Sequence, residues 1–280
     1  WKQEILNSKI NIVNKKILIK DLSSKLECSS NLKISETDNY FYKLVTNFSD
    51  DLENQIKKII DKNTVCVSFD VFDTLVVRPF FEPKDLFDFL NHFFNVKFPE
   101  LNYVDFKAIR ISAEQKARKE YLGKYDLAED IDIDIIYEYI KKLICLNDKD
   151  INELKNKEIE LELTFCKPRK IGKYLYELAE YLGKEIICVS DMYLHQSEIR
   201  NILNLCGYSS INKIYVSSDI KLTKNSGSLF KYVLSDLNLS SRSIVHIGDN
   251  YCSDFQMANK NHIKSIHLIN PKDNITGLNK

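Results

Sequence analysis

Val65-Cys66-Val67-Ser68-Phe69-Asp70-Val71-Phe72-Asp73-Thr74-Leu75 decides the reading of this chain. An apolar, β-branched run ends on a carboxylate and is followed at once by the turn-like pair Asp73-Thr74. A buried strand delivers a side chain in this way to the carboxyl edge of a sheet, where open α/β folds bind ligands. Three later segments belong with it. Ile186-Ile187-Cys188-Val189 ends on Ser190-Asp191, and Lys224 lies in Leu222-Thr223-Lys224-Asn225-Ser226-Gly227. Ile244-Val245-His246-Ile247 ends on Gly248-Asp249, with Asp254 five residues on.

Outward from this stretch, the periodicity changes twice. Pro79 and Pro83 close the first unit, and helical spacing follows, with helices expected over 83–95, 103–121, 132–145 and 149–166. A helix near 169–182 stops at Gly183. Strands are then expected at 185–190, 213–217, 243–247 and 264–269, alternating with helices at 196–206, 226–237 and 252–260. Such alternation with right-handed crossovers predicts an α/β fold, a Rossmann-like parallel sheet covered on both faces. Ahead of it, residues 1–62 carry helical spacings (Leu6, Ile10, Val13, Ile17; then Phe41, Leu44, Val45, Phe48) around a polar loop. They read as an N-terminal helical segment that packs or links, or as a partner-binding stalk.

Composition narrows the partners. Lys+Arg and Asp+Glu are equal at 40 each in 280 residues, so no net field favours nucleic acid or anionic lipid. The seven cysteines are odd in number and form no CxxC pair, and Cys66 and Cys188 sit inside apolar strands, as reduced thiols of a cytoplasmic protein do. No apolar run approaches the length of a membrane span, and no secretory leader is readable. The chain opens on Trp1 rather than Met, which reads as a fragment of a longer protein.

Asp, Ser, Lys and a Gly-Asp…Asp pair, in that chain order, resemble the haloacid dehalogenase-like (HAD) superfamily over roughly residues 63–270. The resemblance implies a core made of 63–82 and 168–280, with an inserted α-helical cap over 83–167. It also implies a Mg²⁺-dependent phosphohydrolase acting on a small phosphorylated metabolite. Asp70 would be the nucleophile, since a carboxylate backed by amides and a cation can attack phosphorus and form an aspartyl-phosphate. The plainer alternative is that Asp70 caps the following turn. Asp249, with Asp254 as ligand or supporting carboxylate, suits Mg²⁺, which wants hard oxygens; by resemblance the carbonyl of Phe72 is a third protein oxygen. Ser190 would donate to a phosphoryl oxygen beside the amides of Val71 and Asp191, and Lys224 would steady Asp70. Lys221 is a rival for the Lys224 role.

One departure qualifies this reading. Phosphatases of the superfamily usually carry a second Asp two residues after the first, and here that position is Phe72. The missing acid–base group is worth about 10²–10⁴ in rate. Asp73 is the adjacent substitute; strand alternation aims it away from the Phe72 direction, the turn could redirect it, and a cap residue is the other candidate. An aromatic at this position also occurs in the haloacid dehalogenases, which lack the magnesium site, so Asp249 and Asp254 favour phosphoryl chemistry. The rival reading is a catalytically weak or silent module that binds a phosphosugar or a partner within a larger enzyme, and the haloacid dehalogenase is a third. Arg110, Glu114 and Arg118 fall on one helical face, either as a solvated salt-bridge ladder or with an Arg reaching substrate. Arg78 and Tyr193 are further substrate-contact candidates. His195 and His246 read as packing or hydrogen-bonding residues. The segments 69–78 and 190–194 resemble a HAD branch associated with glycosyltransferase domains of bacterial surface-polysaccharide assembly.

Overall fold

The computed structural model describes residues 56–270, within the second of two compact units, Ser49–Lys280. The helices expected in 1–62 therefore lie outside the described residues, apart from a helical turn at 56–59 whose Ile56 is fully buried.

β1 (Cys66–Phe69) is the centre of a five-stranded parallel sheet with β4 (Glu185–Ser190), β5 (Lys213–Val216), β6 (Ile244–Gly248) and β7 (Lys264–His267). The strand order is β5-β4-β1-β6-β7. Cys66 lies opposite Glu185 on one side and Ile244 on the other. All four residues of β1 are buried, which is why its sequence runs apolar without alternation. One face packs Cys66, Ile187 and Ile244 against Leu229, Phe230 and Val233. The α/β class and the parallel sheet expected from the sequence are what the chain forms.

Between β2 (Val76–Val77) and β3 (Lys167–Pro168) the chain leaves the sheet to build four helices: α1 (Leu86–Lys97), α2 (Phe106–Lys124), α3 (Ile133–Leu143) and α4 (Asp148–Phe165). β2 and β3 pair antiparallel, Val76 with Pro168 and Val77 with Lys167, and bring the two ends of this block together. Two-residue strands leave no periodicity to read, so the sequence offers no sign of this neck. α2 starts at Phe106, three residues later than the expected start at 103, because Asp105 caps it by accepting from the Ala108 amide (3.1 Å). α3 and α4 are capped in the same way by Asp132 and Asn147.

The block is seated on loops at the carboxyl ends of β4 and β5. The Ile133 amide donates to the Tyr193 carbonyl (2.8 Å), and the Glu129 amide to that of Lys221 (2.8 Å). The remaining elements cover the sheet: α5 (Lys170–Tyr181), α6 (Gln196–Leu205), α7 (Ser217–Ile220), α8 (Ser228–Asp236) and α9 (Met257–Lys260). The helix expected over 252–260 begins as a π-helical turn, Tyr251–Gln256, which carries Asp254. No helix among the described residues is long and apolar enough to cross a membrane.

Candidate active site

The strand-end carboxylates meet. One oxygen each from Asp70, Asp249 and Asp254 lies within 4.8 Å of the others. Pairing of β1 with β6 sets Asp70 beside Asp249, and the Asp70 amide donates to the Ile247 carbonyl (2.8 Å). Asp254 reaches back from the π-helical turn because residue 248 is glycine: a Cβ there would lie 2.3 Å from the Asp254 carboxyl carbon. The Asn250 amide then donates to Asp254 Oδ2 (2.9 Å), and Thr74 Oγ1 donates to Asp249 Oδ1 (3.2 Å).

Lys224 Nζ donates to Asp70 Oδ1 and to Asp254 Oδ1, both at 2.6 Å, from a side chain that is almost wholly buried. Lys221 does not share this position; its ammonium is on Asp132 (2.6 Å). Burial pushes the Asp70 carboxyl well up; Lys224 pulls it down, and Asp254 and Asp249 add repulsion. Burial, then repulsion from Asp254 and Asp73, pushes Asp249 up to about 6. Asp254 goes the other way: burial raises it, but the Lys224 charge and the His246 hydrogen bond outweigh that and hold it low.

These groups line an open cavity of about 460 Å³, together with Phe72, Asp73, Ser190, Asp191, Asn225 and Ser253. Phe72 and Asp73 both line it, where the chain abandons strand geometry after Asp70. Asp73 sits in the left-handed region (φ 56°), its amide donates to Val76 O (2.7 Å), and alternation no longer applies. Strand alternation therefore does not decide the direction of Asp73, the point that the turn left open in the sequence. Arg169 fixes this loop, donating to the Asp73 carbonyl and to that of Ile269. Gly172 on α5 allows the close packing behind it: a Cβ there would lie 2.1 Å from Thr74 O.

Four residues expected at the substrate are engaged with other side chains. Arg110 is fully buried and donates twice to Glu158 (2.7 and 2.8 Å) and once to Glu114 (2.9 Å). Its guanidinium also lies over the rings of Phe87 and Tyr193, 4.6 and 4.8 Å from their centres. It is neither a solvated rung nor an arm into the cavity, because its donors are used inside the helical block. Arg118 is paired with Glu114 and Asp130, and Arg78 with Glu162 (2.8 Å). Tyr193 is under Arg110 rather than on the cavity wall. His195 and His246 hydrogen-bond as expected. His195 bridges Asp219 (2.7 Å) and Asp134 (3.0 Å), and His246 lies between Ser68 (2.9 Å) and Asp254 (3.3 Å).

Sequence reasoning missed Arg169 and Glu129. Arg169 carried no signal beyond its place after Pro168, and Glu129 none beyond its acidic neighbour Asp130.

Comparison with known proteins agrees with this architecture. No protein-family model matches the chain, and no curated protein does. Among solved structures it is similar to a 2-haloacid dehalogenase from Pseudomonas syringae pv. Tomato DC3000 (TM-score 0.54, 15% identity, 73% of this chain and 86% of the other). It is also similar to an L-2-haloacid dehalogenase (TM-score 0.51, 14% identity, 74% and 86%). These likenesses show a shared fold: the described part of the chain has the haloacid dehalogenase-like fold, a Rossmann-like core with helical insertions.

Proposed function

We propose that this chain is a Mg²⁺-dependent phosphohydrolase acting on a small phosphorylated metabolite through an aspartyl-phosphate on Asp70. The observation that carries the reading is the meeting of Asp70, Asp249 and Asp254 around Lys224 in an open cavity. Three carboxylates against one ammonium leave excess negative charge, and the donors are all oxygens, which suits Mg²⁺ rather than a softer metal. Asp70, Asp249, Asp254 and the Phe72 carbonyl would hold the ion, which when bound would neutralise phosphoryl oxygens that these carboxylates would otherwise repel.

The chain's own residues supply the rest. A carboxylate oxygen of Asp70 attacks phosphorus, the bond to the leaving oxygen breaks, and an acyl phosphate forms. Ser190 and the amides of Val71 and Asp191 face the phosphoryl group, while Lys224 offsets the charge on Asp70. Water then cleaves the acyl phosphate, releasing inorganic phosphate and restoring Asp70. Phe72 has no proton to give the leaving alkoxide; Asp73, which lines the cavity, is the adjacent candidate for that role, and a good leaving group needs none. The helical block 83–167 serves as the cap of the site. The reading extends to a reducing, cytoplasmic setting and to association with a glycosyltransferase domain; Cys66, Cys166, Cys188 and Cys206 are buried free thiols.

Two other readings each rest on an observation. Phe72 in the cavity wall and the dehalogenase fold likenesses favour displacement of halide from a 2-haloacid. Phe72 alone favours a weak or silent module that binds a phosphosugar. Phosphate release from aryl and sugar phosphates, with Mg²⁺ and with chelator, set beside halide release from 2-haloacids, separates the three. Chelator-sensitive phosphate release is the expected result, and halide release without phosphate release would sink the proposal.

A further inference from the structure

The loop that carries Lys224 is gripped from outside the sheet. Glu129, in the turn before α3 of the helical block, offers Oε2 to four donors. They are the Thr223 amide (2.8 Å), Thr223 Oγ1 (3.0 Å), Ser226 Oγ (2.6 Å) and Ser228 Oγ (2.6 Å). Burial pushes the Glu129 carboxyl up, but the hydrogen bonds from Ser226, Ser228 and Thr223 outweigh it and hold the group below its ordinary range. It is therefore ionised at neutral pH, and it sits at the start of α8, where a negative charge is favoured. The residue preceding α8 is Gly227, in the left-handed region (φ 84°) with no side chain to cap the helix. The loop caps α8 itself, the Ser228 amide donating to Ser226 Oγ (3.1 Å) and the Leu229 amide to the Thr223 carbonyl (3.1 Å). Glu129 binds the hydroxyls and the Thr223 amide of that capping loop from another element.

From the opposite side, Asp191 accepts from the amides of Lys224 (2.8 Å) and Asn225 (3.2 Å). The loop is thus held between a core carboxylate and one from the helical block. With the backbone in this place its Lys224 ammonium reaches Asp70 and Asp254. The neighbours of Glu129 fasten the same seam: Asp130 accepts from Ser217, Asp132 from Lys221, and Asp134 is bonded to His195.

We infer that Glu129 is a positioning residue that ties the seating of the helical block to the placement of Lys224 at Asp70. The catalytic consequence rests on the role proposed for Lys224, whereas the placement of the loop does not. Withdrawal of the block removes the shared acceptor of Thr223, Ser226 and Ser228 and frees the lysine loop on one side. An open site is then also one with its cation poorly held, and closure and assembly become one event.

The test compares Glu129→Ala and Glu129→Gln in the full chain, reading amide hydrogen exchange at 223–228 and acylation of Lys224 Nζ by peptide mass spectrometry. In Glu129→Ala, exchange in that loop and labelling of Lys224 should both rise roughly ten-fold, as loss of a charged acceptor for several donors implies. Exchange in β4 should stay as in the parent. Glu129→Gln keeps an acceptor and should fall nearer the parent. Ser226→Ala combined with Ser228→Ala removes two of the four donors to Glu129 and should give a smaller rise of the same kind, the readout to use if the Glu129 variant does not fold. Where turnover is measurable, kcat should fall with little change in KM. Parent-like exchange and labelling in Glu129→Ala would overturn the inference, as would an equal rise throughout the sheet. Loop release in a protein that turns over no phosphate ester supports the inference and counts against the hydrolase reading alone.

Discussion

The guanidinium of Arg78 lies over the ring of Phe72, 4.7 Å from its centre, while its Nη1 donates to Glu162. A cation over an aromatic face is held by the ring's quadrupole. The residue in the place of the usual acid is therefore anchored, and a cation already stands beside it.

That pairing shapes the most direct test of catalysis. Without a proton donor at Phe72, p-nitrophenyl phosphate should react far better than alkyl or sugar phosphates, because a poor leaving group needs the proton most. Phe72→Asp alone should narrow the gap only modestly, since Arg78 would pair with the introduced carboxylate and lower its pKa. Phe72→Asp with Arg78→Met should raise alkyl-phosphate turnover by up to about 10²–10³ and help the aryl ester little. Asp70→Asn should abolish both. If Asp73→Asn alone removes alkyl turnover, Asp73 is the acid.

Metal binding has a thermal readout. Mg²⁺ should raise the melting temperature of the parent chain, because a ligand that binds only the folded state stabilises it. Asp249→Asn should remove most of that rise. Protons compete for Asp249, which burial and then its carboxylate neighbours push up to about 6. Apparent Mg²⁺ affinity should accordingly weaken as the pH falls through that value. Affinity that is flat between pH 5 and 8 (roughly the range over which such a carboxylate titrates), together with an undiminished thermal rise in Asp249→Asn, would exclude Asp249 as a ligand.

His195 gives the seam a pH dependence. A neutral imidazole can donate from only one nitrogen, yet both of its nitrogens face carboxylates, those of Asp219 and Asp134. Lys155 is also on Asp134, and Asp132 with Lys221 lies alongside. Burial lowers the His195 pKa, but Asp219 and Asp134 outweigh it and the net shift is upward from 6.5. The folded state holds this proton more tightly than the unfolded state does. Its contribution is thus complete below 6.5 and is lost as pH rises through the higher folded value. Urea midpoints of the parent should fall over that window, and His195→Asn should flatten the fall. Identical profiles for the two proteins would dismiss the bridge.

Arg110 tests the correction to its role. Arg110→Ala strands Glu158, which is fully buried, and should cost about 3–5 kcal/mol in urea unfolding. Arg110→Met with Glu158→Gln should recover most of it. At temperatures where the variants stay folded, KM should change less than two-fold (on the order of 0.4 kcal/mol); a large KM effect would return Arg110 to the substrate.

The sheet and the polar cluster were legible for a common reason. A fully buried parallel strand must be apolar throughout, so Cys66–Phe69 and Ile244–Gly248 announce their own ends, and the carboxylates follow at those ends. Asp70, Ser190, Lys224, Asp249 and Asp254 could be placed together from that pattern and the resemblance. Arg110 could not be placed. Its four-residue spacing with Glu114 and Arg118 is the same for a wet helix face and a buried one, and Glu158, which decides the matter, is 48 residues away. Glu129 was hidden likewise, because its donors arrive 94 to 99 residues later. The pair Asp73-Thr74 marked the turn, but not the left-handed backbone at Asp73, because such a residue is usually announced by glycine.

The position of β1 bears on how the molecule comes to be folded. Cys66 needs Glu185 on one side and Ile244 on the other, partners that the chain supplies only after the whole helical block has been passed. The helices of that block are held by local contacts and caps, which form early, whereas each flank of β1 requires closure of a long loop. Asp70 is consequently among the first of the carboxylates along the chain and among the last to acquire its neighbours. Partly folded forms would have helix without a site, and the rate at which binding capacity appears on refolding should report the arrival of β6 rather than the gain of helix.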